Sequence, residues 1–301
     1  MQSLRPSLSR ASRREEMAGY LFVAPAVLLI FCLVIVPIFV SFYISFTDYN
    51  IIKTPVWKGL DNYIRVFTSD RRLGRIYANT FSYTAMAVVG NVGLGLLLAV
   101  FLNQKFPSAL KTAFRFSFFL PVIIAYVYVS IVWRAMYATD TGIFNYLLEQ
   151  IGISKVGWLT NKNLALFSII VMDNWKNAGY FMIIFLAGLQ GIAPQYYEAA
   201  RIDGANSFRI FTRITLPMLT PTIFFNLTWS SINAMQAFDS MSILTEGGPG
   251  DASRGIVMYI YETGFEGGKF GYASALAVTL FVIVATITFF QFKFSERWVH
   301  Y

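Results

Sequence analysis

The sequence contains few charged residues. Asp, Glu, Lys and Arg together make up 13% of the 301 residues, about half of the roughly 25% that is usual in soluble domains. Hydrophobic residues reach 56% and occur in long runs. A soluble fold of this length cannot bury so much apolar surface, so the composition indicates an integral membrane protein.

Cysteine and histidine are almost absent. Cys32 is the single cysteine and lies inside the first apolar run, so a disulfide bond within the chain is excluded. The single histidine, His300, stands beside the last residue. A zinc site or a histidine-based triad cannot be assembled from these residues. We therefore expect no catalytic residue, metal or cofactor in this chain.

The net charge of +8 is a feature that proteins binding nucleic acid share. Such proteins gather their basic residues on one face, whereas here the basic residues are distributed between apolar runs. We therefore expect no nucleic-acid partner.

Six apolar runs are long enough to cross a bilayer as helices, which takes about 20 residues each. They are too long and too evenly apolar for barrel strands. The first run also exceeds the apolar core of a signal peptide, so we interpret it as a retained span. The prediction is an all-α integral membrane protein, a single domain over 1–301, with six transmembrane helices at approximately 20–46, 77–102, 113–137, 164–191, 216–244 and 272–292.

The orientation of the chain follows from the distribution of Lys and Arg among the loops. With the N-terminus inside, the inner segments hold twelve of these residues and the outer segments eleven, so the count hardly discriminates. The inner segments are shorter, and a basic cluster that includes Arg5 precedes the first span. Both features favour a cytoplasmic N-terminus.

The segment 192–215, between the fourth and fifth spans, has the pattern of two short helices at the membrane surface. The stretch 197–203 favours a helix, and Gly204 can take the left-handed conformation that ends one. The stretch 208–214 is amphipathic and predicts a second short helix. Pro217 ends it where the fifth span begins.

This segment resembles the EAA loop of ABC-importer permeases, in which Glu-Ala-Ala is followed after three residues by Gly and after nine more by Ile-x-Leu-Pro. The sequence matches every specified position, namely Glu198, Ala199, Ala200, Gly204, Ile214, Leu216 and Pro217. Residues 21–26, 59–63 and 244–249 are similar to the sugar-permease branch of maltose, glycerol-phosphate and lactose transporters.

The resemblance implies the core of a type I ABC importer permease in the bacterial cytoplasmic (inner) membrane, with both termini in the cytoplasm. It implies that the loop docks on an ATPase subunit as a coupling helix, through Glu198, Ala199, Ala200, Asp203 and Gly204. The implied partners are a second, homologous permease that completes a heterodimer, two copies of an ABC ATPase that hold ATP and Mg, and an extracytoplasmic substrate-binding protein. The chain has no P-loop of its own.

Polar residues interrupt the fourth and fifth spans, where ionisable groups are costly and indicate function. Asp173 and Lys176 share a helix face and could neutralise each other, and positions 226, 229, 233 and 236 form one polar stripe. Amides beside aromatic rings suit a sugar pathway. Together with the resemblance, these patterns predict the substrate-pathway residues Asp173, Lys176, Asn177, Tyr180, Trp229, Ser230, Asn233 and Gln236. Helix–helix hydrogen bonding and a structural ion pair are the alternatives.

The expected substrate is a carbohydrate, either a sugar or an oligosaccharide. Lys176 and the basic loop after the first span favour an acidic one, such as alginate or uronate oligomers or a sugar phosphate. Contacts with a binding protein or with lipid headgroups are the alternative, and preferred, explanation of these basic residues. Two other functions stay open: an ABC permease for a non-sugar solute, and an ion-driven secondary transporter, although the two halves show no inverted repeat.

Overall fold

The computed structural model describes residues 10–299 and is mostly helical over that range. Arg5 and His300 lie outside the described residues. Five-residue π-helical turns follow α1, α10 and α14, at Phe31–Ile35, Phe211–Thr215 and Glu262–Glu266. The α-helices are α1 Arg10–Ile30, α2 Val36–Ile44, α3 Asp61–Thr68, α4 Leu73–Leu102, α5 Ser108–Ile123, α6 Tyr126–Met136, α7 Ile143–Gln150, α8 Ala165–Gly191, α9 Pro194–Ile202, α10 Ser207–Ile210, α11 Leu216–Met218, α12 Thr220–Met235, α13 Asp239–Thr245, α14 Ile256–Tyr261 and α15 Phe270–Ser295.

Three helical segments of the described range are long and apolar enough to cross a membrane by themselves. They are Glu15–Ile44, Leu73–Leu102 and Phe270–Ser295, with 30, 30 and 26 residues. Two bent helix pairs, α5 with α6 and α8 with α9, raise the number to as many as five. The all-α membrane class predicted from the apolar runs is confirmed.

The third apolar run, 113–137, is not one continuous helix, as the sequence had suggested, but a pair of helices. α5 ends at Ile123, α6 begins at Tyr126, and the two axes meet at 98°. The residues between them are extended, with ψ of 133° at Ile124 and 142° at Ala125. Pro121 lies near the end of α5 and has no backbone N–H to donate to the carbonyl of Ser117, so the helix lacks one hydrogen bond just before the chain turns.

The fifth apolar run, 216–244, is also divided, between the end of α12 at Met235 and the start of α13 at Asp239. The side-chain amide of Gln236 donates to the carbonyl of Ile232 at 3.0 Å. In a continuing helix that carbonyl accepts the backbone N–H of Gln236, which here bonds to the carbonyl of Asn233 at 3.1 Å instead. The side chain competes with the backbone and helps to end the helix.

α8 lies at the centre of the molecule and packs against α4, α5, α6, α12 and α13. Two glycines allow its closest contacts. A Cβ atom at Gly95 of α4 would meet the Cβ of Phe181, and a Cβ at Gly179 of α8 would overlap the carbonyl of Phe118 in α5. Small residues permit this close approach of membrane helices. The packing fixes the polar residues of α8 relative to these five neighbours, which surround a cavity.

A short antiparallel hairpin follows α2, which the sequence had not predicted. Its strands, β1 Thr47–Asn50 and β2 Lys53–Trp57, are the only ones within residues 10–299. Thr47 stands opposite Trp57 in the register. Asn62 donates its amide to the carbonyls of Ser45 and Thr47 at 2.9 Å each and fastens the hairpin to α3.

The loop 246–255 after α13 is fastened to the N-terminus of α4 by an ion-pair network, which we name the outer clasp (Arg72, Asn79, Asp251 and Arg254). Arg72 binds both carboxylate oxygens of Asp251 at 2.9 Å, and the Nε of Arg254 binds Asp251 at 2.6 Å. Asn79 donates to the carbonyl of Asp251 at 2.6 Å. The hydrogen bonds from Arg72 lower the pKa of Asp251 to about 2.

Candidate functional site

A cavity of about 350 Å³ opens between α4, α8, α12 and α13, next to both broken runs. Aromatic and amide side chains dominate its wall. The lining residues are Tyr83, Ala87, Asn91, Val122, Tyr126, Asn177, Tyr180, Phe181, Trp229, Ser230, Asn233, Ala234, Gln236, Ala237, Phe238, Asp239 and Ser240. A concave, mostly preformed space with a few polar groups among aromatic rings is the usual form of a small-molecule site.

Six of the eight residues predicted for the substrate pathway line this cavity. They are Asn177, Tyr180, Trp229, Ser230, Asn233 and Gln236. From Trp229 to Gln236, which directly follows α12, the residues of the predicted polar stripe lie at the cavity wall. Asn226, which continues the stripe in sequence, is not among the lining residues and is fully buried, so the stripe lines the cavity over only part of its length.

The ring faces and amides of α8 and α12 form one continuous surface. The rings of Tyr180 and Trp229 lie 6.2 Å apart at 31° to each other. The amide nitrogens of Asn233 and Gln236 donate to carbonyls of their own helix, at 2.8 and 3.0 Å. Their amide oxygens have no hydrogen-bond partner among the described residues and can accept from the hydroxyls of a ligand.

Sequence reasoning missed the lining residues that lie outside the fourth and fifth runs. Tyr83 and Asn91 come from α4, and Asn91 donates to the hydroxyl of Ser230 at 3.1 Å. They are eight residues apart, about two helical turns, and this spacing was the available signal. Tyr126 enters the cavity only because α5 and α6 are separated, and the available signal for that break was Pro121 near the end of α5.

Asp173 and Lys176, the two remaining predicted residues, do not line the cavity. Asp173 is 1% exposed and accepts hydrogen bonds from the hydroxyls of Tyr83 and Ser240. Lys176 is 3% exposed, and its ammonium group donates to the carbonyls of Pro121 and Val122, at 3.3 Å each. The two side chains form no ion pair with each other within the described part of the chain.

The segment 192–215 folds as two short helices that meet at Gly204. α9 leaves the end of α8 at 66°, and Gly204 follows it with a φ of +74°, as predicted. Asn206 begins α10 by accepting the backbone N–H of Arg209 at 2.8 Å. The second helix is shorter than the predicted 208–214, because α10 passes at Phe211 into a π-helical turn.

The predicted coupling residues occupy an exposed edge of this segment, with one exception. Glu198, Ala199, Asp203 and Gly204 are exposed, whereas Ala200 is buried within the chain. Two large apolar side chains stand beside this edge, Ile202 at 86% exposure and Phe208 at 76%. Apolar groups on a loop that leaves the membrane indicate a surface that another protein covers.

Comparisons with known proteins agree with these features. The family model described as "Binding-protein-dependent transport system inner membrane component" matches residues 91–300. The "Probable ABC transporter permease protein YesP" of Bacillus subtilis is 41% identical, over 97% of this chain and 95% of its own length. The "Trehalose/maltose transport system permease protein MalF" of Thermococcus litoralis is 33% identical, over 95% of this chain and 96% of its own.

A solved structure gives the same result for the fold. A chain of a bacterial ABC transporter involved in the import of the acidic polysaccharide alginate superposes with a TM-score of 0.84 at 26% identity, over 94% of this chain and 96% of that one. The family match covers most of the chain, and the relatives align over almost their whole length. The chain therefore belongs to the inner-membrane permease components of binding-protein-dependent ABC transporters.

Proposed function

We propose that this chain forms one half of the membrane pathway through which an ATP-driven importer carries a carbohydrate. The cavity of aromatic rings and amides is the observation that carries the proposal. Ring faces pack against the C–H face of a sugar, and the amide oxygens of Asn233 and Gln236 accept its hydroxyl groups. Relatives named for trehalose and maltose, lactose, and arabinooligosaccharide transport support the choice of solute.

The sugar contacts in this proposal are Asn177, Tyr180, Trp229, Ser230, Asn233 and Gln236. They lie on one side of a space that opens to the outside of the chain, and a second, homologous permease supplies the opposite side. An extracytoplasmic binding protein delivers the sugar. A structural relative was solved in complex with an alginate-bound periplasmic protein, which supports this division of roles.

Energy enters through the segment 192–215, which docks on an ATPase subunit. Glu198 and Asp203 offer charge, and exposed Ile202 and Phe208 offer apolar surface, on the same exposed segment. The ATPases bind ATP and Mg, and closure of the pair moves α9 against α8. We infer from this docking that the segment and both chain termini lie in the cytoplasm of a bacterium, and that the membrane is the inner one.

The test is uptake by the complex purified with its native partners and reconstituted in liposomes. Maltose, trehalose, lactose, arabinotriose and an alginate trisaccharide are offered with and without ATP. ATP-dependent uptake of at least one of them is expected. No uptake of any of them, with ATP-dependent uptake of a non-sugar solute, refutes the choice of carbohydrate. Uptake that follows an ion gradient without ATP refutes the importer.

Coupling is tested by Glu198→Lys, with Glu266→Lys as the matched control. Glu266 is exposed, lies before α15 and receives the same change of charge far from α9 along the chain. Glu198→Lys is expected to leave the amount of membrane-inserted chain unchanged, lower ATPase binding and reduce uptake at least tenfold. Uptake equal to that of the control contradicts the coupling role.

A further inference from the structure

The break between α5 and α6 leaves carbonyl groups that need partners. In a continuous helix each carbonyl accepts an N–H from four residues later. Because Ile124 and Ala125 are extended, the last carbonyls of α5 lose those donors. In an apolar interior, unpaired backbone groups are strongly unfavourable. A donor from elsewhere in the chain is required to hold the break in one conformation.

Lys176 supplies this donor from α8. Its ammonium group bonds to the carbonyls of Pro121 and Val122 at 3.3 Å each, and it lies 4.3 Å from the centre of the Tyr126 ring. The neighbouring Asn177 donates to the Tyr126 hydroxyl at 2.7 Å. Two consecutive residues of α8 therefore hold both sides of the break, since Val122 lies in the last turn of α5 and Tyr126 begins α6. A cation at the carbonyl end of a helix is also favoured by the helix dipole.

Asp173, one turn earlier on α8, contacts the second break through side chains instead of backbone groups. Its carboxylate accepts from the hydroxyl of Ser240, in the first turn of α13, at 2.8 Å. The same oxygen accepts from the hydroxyl of Tyr83 in α4. Asp173 thus fixes the start of α13 to two continuous helices, directly after the interruption that follows α12.

We propose that Asp173 and Lys176 are positioning residues that hold the two broken runs in the cavity wall without contacting the sugar. Through them Val122, Tyr126 and Ser240 keep their places as lining residues. This positioning role rests on the proposed function only in the experiment that measures sugar uptake. It also predicts that Lys176 does not discriminate between acidic and neutral sugars, in contrast to the role expected from the sequence.

The first experiment measures the position of α6 directly and needs no sugar. Nitroxide labels are placed at Val89 on α4 and Tyr128 on α6, both exposed, in a Cys32→Ser background of the complex in nanodiscs. Lys176→Met is expected to broaden or shift the distance distribution between the labels. Lys176→Arg, which retains donors for both carbonyls, is expected to preserve it. An unchanged distribution in Lys176→Met overturns the proposal.

Lys293→Met is the matched control for loss of a lysine, because Lys293 is exposed near the end of α15. If Lys176→Met fails to assemble, Lys176→Gln takes its place. The side-chain amide of the introduced glutamine can donate to these carbonyls without the charge of lysine. We therefore expect a distance distribution that is broader than that of the unmodified chain and narrower than that of Lys176→Met. A distribution in Lys176→Gln that is identical to that of the unmodified residue also overturns the proposal.

The second experiment compares the uptake of a neutral and an acidic sugar by Lys176→Met. Both are expected to fall by the same factor, about tenfold, which corresponds to about 1.4 kcal/mol. A loss confined to the alginate trisaccharide would return Lys176 to the sugar contacts and overturn the proposal. If the unmodified complex takes up no sugar, the proposed function fails, while the distance measurement still decides the positioning role.

Discussion

Gly179 is the position where a single added methyl group tests the packing around the cavity most directly. A Cβ at this position overlaps the carbonyl oxygen of Phe118 and comes close to the backbone of Phe119. The obstacle is backbone of α5, so no rotamer change can relieve it, and Gly179→Ala forces the two helices apart. Gly179 lies one turn from Lys176, so the displacement also lengthens the hydrogen bonds to Pro121 and Val122.

The magnitude follows from the two effects. Overpacking a well-packed site destabilises by about 1–3 kcal/mol. Alanine is a better helix former than glycine by about 0.8–1 kcal/mol in soluble helices, which opposes this loss. The net change expected for Gly179→Ala is therefore a destabilisation of up to about 2 kcal/mol, with a further loss in uptake because the wall of the cavity moves.

The matched control is Gly93→Ala in α4, where an added Cβ meets nothing within 4 Å. Gly93→Ala gains the higher helix propensity of alanine without a steric overlap. Its free energy of unfolding is therefore expected to be unchanged or slightly higher. Thermal unfolding of the purified complex in detergent is the assay, with about 2–4 °C of midpoint shift for each kcal/mol. If Gly179→Ala unfolds at the same temperature as Gly93→Ala, the close contact of α5 and α8 does not hold the cavity wall.

Three further predictions concern the cavity, the outer clasp and the coupling segment. Trp229→Ala is expected to reduce sugar uptake at least tenfold, and Trp229→Phe much less, because phenylalanine retains a ring face. Phe281→Ala, at an exposed position of α15, is the control. Equal losses of uptake in all three variants contradict a ring contact with sugar. Asp251→Asn is expected to lower the unfolding temperature at pH 5–8. Because the pKa of Asp251 lies at about 2, below its usual 3.8, the ion pair stabilises above pH 4, and the difference should shrink as the pH falls from 4 towards 2; a difference that is independent of pH argues against the ion pair. Asn206→Ala removes the N-cap of α10, which is expected to destabilise the helix by about 1 kcal/mol. The rate of hydrogen exchange at the amide of Arg209 should then rise about fivefold. An unchanged rate refutes the role of Asn206 as a cap.

The sequence was informative wherever composition and spacing determine structure. The apolar runs at 77–102, 164–191 and 272–292 coincide with α4, α8 and α15 within a few residues. Gly204 takes the left-handed conformation that its place after a helical stretch predicted. In these cases a local rule and the tertiary structure agree, so the pattern in the chain is sufficient.

The two breaks and the role of Lys176 were not predictable in this way. Hydropathy measures the composition of a run and is blind to backbone continuity, so 113–137 and 216–244 looked like ordinary spans. The partners of Lys176 are carbonyls that become free only because α5 ends at Ile123. Reasoning from residue types therefore paired Lys176 with Asp173, its neighbour on the helix, whereas the structure gives each of them partners on other helices.

The bend between α8 and α9 has a mechanical consequence. Only Ile192 and Ala193 separate the two helices, so in the proposed coupling α9 would be the short arm of a rigid lever whose long arm is α8. From Gly191 to Asn177 the long arm measures about 21 Å, at about 1.5 Å per residue. A tilt of about 10° at the short arm then moves the cavity wall by about 4 Å, roughly half the ~8–10 Å between the axes of packed helices.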